Sequence, residues 1–263
     1  MPTTAEALLF VYAECGQSVT EEQFNDWYDN EHAPLRITVP GFLTAARYKA
    51  LDTPPKAFPK WLALYDLTSQ EVMHSHEYKD LRLKASDNER RVVGNLETLN
   101  RRVYELVNSS DISEVSETLK VSTANANVSE SDKAAKFLYV VHMQVVENGQ
   151  DESRYETQED HLVQWYTSTR IPQLALAPGY IRSRVFRLTE HAELAGRAAK
   201  KVKPQSPSTL LAIHEWRVDG AEVINSLEFK MCMTDTEPWK MEGEEAVAVM
   251  EDRMFELYKV FLG

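Results

Sequence analysis

Cysteine is scarce in this chain: Cys15 and Cys232 are the only two among 263 residues. Two thiols cannot build a disulfide framework or a thiolate zinc site of the usual kind. No apolar run approaches the roughly 18–20 residues that a membrane-spanning helix needs. Basic residues are outnumbered, 29 against 41 acidic ones, which leaves a formal net charge of −12. So acidic a chain lacks the positive surface that nucleic acid or an anionic membrane would require, so neither is an expected partner. Several catalytic signatures are also missing: there is no G-x-G-x-x-G, P-loop lysine, G-x-S-x-G elbow or H-E-x-x-H. Phosphate-cradling and serine-hydrolase readings lose their support, and neither a metal site nor a resident cofactor is expected. The N-terminal stretch has no basic region, and its apolar core Ala7–Ala13 is too short for a signal peptide. It reads as a first strand, and a cytoplasmic location is expected.

What is present is enough for a core, with 43% hydrophobic and 27% charged residues. The chain also repeats itself. Trp27–Leu43 aligns without a gap on Trp165–Ile181, pairing Trp27 with Trp165, Tyr28 with Tyr166, Pro34 with Pro172, and Pro40-Gly41 with Pro178-Gly179. A second ungapped block pairs Ser75–Lys79 with Ser226–Lys230 and Arg102–Leu106 with Arg253–Leu257. Self-similarity at this spacing points to a duplicated structural unit.

Each copy begins with an aliphatic and aromatic strand, followed by an amphipathic helix. Thr20 is the predicted N-cap of the first helix, with acids in its opening turn. Phe24, Tyr28, His32 and Leu35 fall on one helical face. Pro40-Gly41 ends that helix and launches a strand over Phe42–Ala50. A third strand at Trp61–Leu67 leads to a helix through Tyr78, and a fourth runs over Arg101–Val107. The order is βαββαβ, a ferredoxin-like unit, and the fold class is α+β. Residues 1–107 and 134–263 form the two units. Between them 108–133 reads as a polar linker, while Thr189–Pro207, with Lys200, Lys201 and Lys203, reads as a solvated insert.

The segment Gln23–Arg36 (QFNDWYDNEHAPLR) followed by Val39-Pro-Gly-Phe42 resembles the EthD-type branch of the dimeric α/β-barrel superfamily. There a helix ending in His-Ala-Pro-Leu precedes a Pro-Gly-Phe strand. The resemblance implies two ferredoxin-like sheets closing one barrel, here an intramolecular pseudo-dimer with scope for further homo-oligomerisation. It also implies cofactor-independent decarboxylase, dehydratase or cyclase chemistry on a polyketide-like or other hydrophobic carbonyl metabolite, a small hydrophobic or aromatic substrate. Non-catalytic small-molecule-binding barrels and barrel oxygenases are the alternatives. Haem serves elsewhere in the superfamily, which brings in His161 and His191 as axial candidates without a flanking signature. This chain carries Trp27 where many members have another histidine, and Arg170 stands at the second-copy position of His32.

His32 is the leading candidate for proton transfer, because imidazole titrates near neutrality. Asp29 or Glu31 on the same turn would raise its basicity; the competing reading is a histidine packed on the inner face of its helix. Parity along the strands sorts the remaining candidates. Leu9, Val11 and Ala13 face the helices, whereas Tyr12 faces a barrel lumen with Trp61, Tyr65, His214 and Trp216. His142, matched to Ala13, faces a helix. Arg182 and Arg184 share a face with Tyr180 and Phe186, and a lumenal Arg184 would suit a carboxylate or enolate. The catalytic set is therefore His32, Tyr12, Tyr65 and His214. The substrate-binding set is Trp27, Tyr28, Phe42, Trp61, Tyr166, Arg170 and Arg184, in a cavity whose aromatic lining suits a flat ligand. His74 and His76 lie two apart in a helix and point away from one another, which argues against a metal pair.

Overall fold

The computed structural model describes residues 5–54, 56–111, 134–146, 155–194, 207–234 and 247–261. Eight strands are hydrogen-bonded in the order β1-β3-β2-β8-β5-β7-β6-β4, and the ladder closes on itself. The architecture is an α+β antiparallel barrel. The chain packs as two compact units, the first comprising Met1–Leu106, Leu188–Pro207 and Leu257–Gly263, the second Val107–Arg187 and Ser208–Glu256.

In the first unit β1 (Ala7–Glu14) lies between β3 (Trp61–Leu67) and β4 (Thr98–Asp111), and β2 (Ala45–Ala50) borders β3. The expected third strand matches residue for residue. The second is shorter than expected, because Phe42 makes only an isolated bridge to Leu67. The fourth is longer, carrying the chain through Asn108–Asp111, where a linker was expected; residues 112–133 of that linker lie outside the described residues.

Helix α1 (Glu21–Trp27) starts as its sequence dictates. Thr20 Oγ1 accepts from Gln23 N at 3.2 Å while the Gln23 side chain accepts from Thr20 N at 3.1 Å, a complete capping box. The next turn, Tyr28–His32, is a π-helix, and α2 (Ala33–Ile37) follows. Pro34 explains the wide turn: it has no N–H to donate, and its ring would strike the carbonyl four residues back in a regular α-helix. The extra residue delays the helical phase by one position. Phe24, Tyr28 and His32 are buried as expected, but Leu35 is exposed and Arg36 takes the buried place.

Beyond β3 come a short 3-10 turn (Gln70–His74), α3 (His76–Leu83) and α4 (Asp87–Asn95). Ser86 caps α4, accepting from Glu89 N at 2.9 Å, and Val92 is the buried side chain of that helix. The core of this unit lies between the sheet and the helices. Leu9, Val11 and Ala13 reach it from β1, and Trp61, Ala63 and Tyr65 from β3, to meet Phe24, Trp27 and Tyr28.

The later part of the chain runs β5 (Phe137–Val146), α5 (Tyr155–Trp165), a π turn (Tyr166–Arg170), α6 (Ile171–Leu174), β6 (Tyr180–Glu193), β7 (Leu210–Trp216), α7 (Gly220–Asn225), α8 (Leu227–Thr234) and β8 (Val247–Phe261), with the ends of β6 and β8 counted in the first unit. Pro172 follows this π turn as Pro34 follows the first, for the same steric reason. Thr189–Glu193 of the expected insert continue β6; residues 195–206, with the three lysines, lie outside the described residues. Gly41 and Gly179 take φ of +98° and +75° where each chain segment turns into its next strand. A Cβ at Gly179 would sit 2.7 Å from Val218 Cγ1, and one at Gly41 would run into Val72, so both turns need glycine for conformation and for space.

Candidate functional site

Two polar clusters are buried beneath the helices, one in each unit. The first centres on His32, which is 6% exposed. The Trp27 and Tyr28 rings wall it at centroid distances of 4.4 and 4.7 Å. His32 Nδ1 lies 3.3 Å from Glu89 Oε1, in ion-pair contact but off the line of a hydrogen bond. Arg36 Nη2 approaches the same carboxylate at 3.4 Å, and its Nη1 donates to the His32 carbonyl at 2.8 Å. Burial, then the Arg36 charge, lower the His32 pKa from 6.5 to about 3 against the opposing pull of Glu89. Burial would raise the Glu89 carboxyl, yet His32 and Arg36 hold it down at about 2. A neutral imidazole beside an Arg–Glu pair is the charge-balanced state, because a second buried cation would have no partner of its own.

The neighbouring hydroxyls complete this cluster. Tyr65 Oη donates to Tyr28 Oη at 3.1 Å, and Phe42 stands 5.7 Å from the Tyr65 ring. Burial raises the pKa of both tyrosines, so they stay protonated at neutral pH. Neither Asp29 nor Glu31 turns towards His32. Asp29 pairs with Arg47, and with Lys259 at 3.2 Å; Glu31 accepts from Ser86, and from Asn88 Nδ2 at 3.0 Å. The carboxylate serving His32 comes instead from Glu89, on a helix the sequence reading left unassigned.

Arg47 was also missed. It is 1% exposed, and its guanidinium lies 4.4–5.0 Å from the ring centres of Phe24, Tyr28, Trp61 and Tyr258. Its Nη2 also donates to Asn25 Oδ1 at 2.7 Å. A signal for this box existed between the two copies. Val185 pairs with Ala212 on β7 as Arg47 pairs with Ala63 on β3, and Asp29 aligns with Thr167. The cation and its carboxylate are thus exchanged together for uncharged residues.

In the second unit His214 is fully buried. Ser183 Oγ lies 2.6 Å from His214 Nδ1, Tyr166 Oη lies 2.9 Å from its Nε2, and Tyr180 Oη donates to Ser183 at 2.7 Å. Burial, then Arg170, lower the His214 pKa from 6.5 to about 3. Arg170 is half-buried and donates to Gln173 Oε1 at 3.3 Å. Leu174 occupies the place of Arg36, so the His32–Glu89–Arg36 arrangement belongs to the first unit among the described residues.

Four expectations about strand faces are corrected. Trp61 and Tyr65 face the helices, because they pair across β1 with Ala13 and Leu9 and so share their side. His214 and Trp216 do likewise, being paired with Tyr139 and Phe137. His142 faces away from the helices, between Leu211 and Glu251, because the β1–β5 match slips by one residue. Tyr180 is separated from Arg182, Arg184 and Phe186 by a β-bulge: it joins the helix-side core while Arg184 pairs with Glu215 at 2.8 Å on the opposite face. Tyr12 lies on the opposite face as expected, packed edge-on to Phe10 at 4.6 Å and under Arg102. The predicted catalytic set is therefore divided. His32 and Tyr65 come together with Trp27, Tyr28, Phe42 and Trp61, whereas Tyr12 lies across the sheet from them.

His161 and His191 are exposed. Among the described residues no group of three or more His, Cys, Asp or Glu could hold a metal ion, and no helix is long and apolar enough to cross a membrane. No family model matches the sequence, and no curated protein matches it. Solved structures do. One is an anthrone oxidase-like protein, with a TM-score of 0.52 at 11% identity over 98% of this chain and 93% of that one. Another is a candidate monooxygenase from Lactobacillus acidophilus NCFM, at 0.47 and 10% identity over 97% and 95%. At 11% identity the first likeness is one of fold.

Proposed function

We propose that this chain is a cofactor-independent lyase or cyclase acting on a hydrophobic, polyketide-like carbonyl compound, with His32 as its proton-transfer group. The observation that carries the reading is the neutral, buried imidazole of His32, set between the Trp27 and Tyr28 rings with Nδ1 turned to Glu89. The other nitrogen, Nε2, makes no hydrogen bond among the described residues. A substrate C–H or O–H bond would break there, its electron pair staying on the substrate and its proton passing to Nε2. Burial and the Arg36 charge make the imidazole by itself a weak base. Negative charge developing on a bound substrate offsets Arg36 and strengthens it. The protonated Tyr28–Tyr65 pair supplies a hydrogen-bond donor close by for a developing enolate.

The same reading takes the chain as a tandem pair of ferredoxin-like units of the EthD type. The matching π turns before Pro34 and Pro172 support it, as do the corresponding Tyr28–Tyr65 and Tyr166–His214 contacts. In this view the first unit keeps the reacting histidine and the second has lost it.

The test is turnover of a panel of aromatic β-keto acids by wild type and His32→Ala, with carbon dioxide release, loss of water and oxygen uptake followed in parallel. A fall of about 10²-fold or more in kcat supports the assignment, in line with the usual contribution of a general acid–base group. Unchanged turnover removes His32 from the mechanism. Oxygen uptake dependent on His32 would move the reaction class to oxygenation, and a ligand retained unconverted would favour a carrier.

A further inference from the structure

Glu89 reaches His32 from a different helix, and the manner of its delivery has chemical content. Ser86 caps α4 through Glu89 N, which fixes Glu89 in the first turn. Glu31, next to His32 on the π turn, holds both Ser86 and Asn88. The start of α4 is thereby bound to the π turn, and Glu89 Oε1 is set 3.3 Å from His32 Nδ1. Arg36 keeps that carboxylate charged through its 3.4 Å contact. A charged carboxylate oxygen 3.3 Å from Nδ1, though off the line of a hydrogen bond, favours the neutral imidazole with its proton on that nitrogen, because an Nδ1 lone pair would lie beside negative charge. The other nitrogen then carries a lone pair and can only accept.

We propose that Glu89 is the positioning residue that fixes His32 as its Nδ1–H tautomer, so that the site selects a ligand presenting a hydrogen to Nε2, an enol or phenol hydroxyl. The assignment rests on the reading of His32 as the reacting group and names the class of compound that group would take. An ether of the same shape offers Nε2 no hydrogen and leaves that acceptor unpaired once the ligand covers it.

Two measurements on the full chain test it. Imidazole ¹⁵N–¹H correlation spectra should show His32 as an Nδ1–H ring that does not titrate between pH 5 and pH 8. Binding of 1-naphthol and of 1-methoxynaphthalene, followed by quenching of indole emission, should favour the naphthol by about tenfold, as expected where a buried polar group loses its partner. In Glu89→Gln the amide can turn its N–H towards Nδ1 and release the other tautomer, and the naphthol preference should fall to about threefold or less. Glu89→Leu, nearly isosteric without hydrogen-bonding groups, gives the same readouts if the glutamine variant folds poorly. An Nε2–H ring in the wild type, equal affinity for the two probes, binding of neither, or a Glu89→Gln spectrum and ratio unchanged from wild type would each overturn the assignment.

The two readings fail separately. Turnover lost in His32→Ala with no response to Glu89→Gln rejects the positioning role and leaves His32 in the mechanism. An intact tautomer and probe ratio with turnover indifferent to His32→Ala rejects the catalysis and leaves the hydroxyl-binding site.

Discussion

Replacing Arg47 with alanine tests whether the buried cation organises the first unit. The guanidinium is almost wholly removed from water, lies against four aromatic rings and bonds to Asp29 and Asn25. Breaking a buried ion pair from one side costs roughly 3–5 kcal/mol, because the remaining charge keeps its desolvation penalty. Asp29 retains Lys259 at 3.2 Å, which places the expected loss near the middle, at about 4 kcal/mol. With a urea m-value of about 3 kcal/mol/M, the unfolding midpoint should fall by about 1.3 M. Trp61, whose ring centre is 4.7 Å from the guanidinium, gives an indole emission signal for the transition. The double variant Arg47→Met with Asp29→Thr approaches the uncharged pair of the second unit and should recover to within about 1–2 kcal/mol of wild type, as hydrophobic replacements of buried pairs do. A loss below about 1 kcal/mol for Arg47→Ala, or a double variant no more stable than the single, would refute the argument.

Acid should destabilise the fold through its buried histidines. The folded-state pKa values of His32 and His214 are lowered to about 3 from an ordinary 6.5, so the unfolded chain binds protons that the folded chain refuses. Their stability contribution is full above pH 6.5 and is lost as the pH falls towards 3, at about 1.4 kcal/mol per pH unit for each ring. His32→Gln and His214→Gln should each flatten the stability slope between pH 4 and pH 6 by about that amount, and an unchanged slope would show that the ring is charged in the fold. Gly41→Ala should cost about 2 kcal/mol or more in urea unfolding, since the turn needs positive φ and the methyl meets Val72; trimming Val72 to alanine should relieve only the steric share. Ser183→Ala leaves His214 Nδ1 without its 2.6 Å partner and should cost about 1–3 kcal/mol, read from the thermal midpoint. A cost under 0.5 kcal/mol would mean that this hydroxyl is dispensable.

Apart from α4, the sequence carried the order of elements in the first unit, because prolines, caps and alternating apolar runs act locally. Pro34 and Pro172 mark matching helix interruptions, and Trp61–Leu67 needed no tertiary context to read as a strand. Which way a strand faces was not legible. In β1 and β3 both faces are buried, so alternation gives a period without an origin, and Tyr65 could be assigned with Tyr12 when the pairing sets it beside Leu9. The same ambiguity misplaced His142 and His214. Helical phase failed at one point for a different reason: the extra residue of the π turn moved Arg36 into the place read for Leu35. Glu89 stayed hidden because an acidic residue in a polar stretch looks solvated until its partner 57 positions earlier is brought beside it. Arg47 and Asp29 left a trace in their joint replacement by Val185 and Thr167, which becomes visible once the two copies are compared as pairs of positions.

The first unit draws in Leu257–Gly263 from the far end of the chain, and two of those residues, Tyr258 and Lys259, close the Arg47 box. During synthesis on the ribosome this unit therefore cannot finish when its own strands and helices have emerged. Its buried cation waits for a ring and a counter-charge encoded some two hundred positions later, with all of the second unit in between. Contacts of such long sequence separation slow folding. Without Tyr258 and Lys259 the buried guanidinium would lack one of its four rings, and Asp29 its second cation.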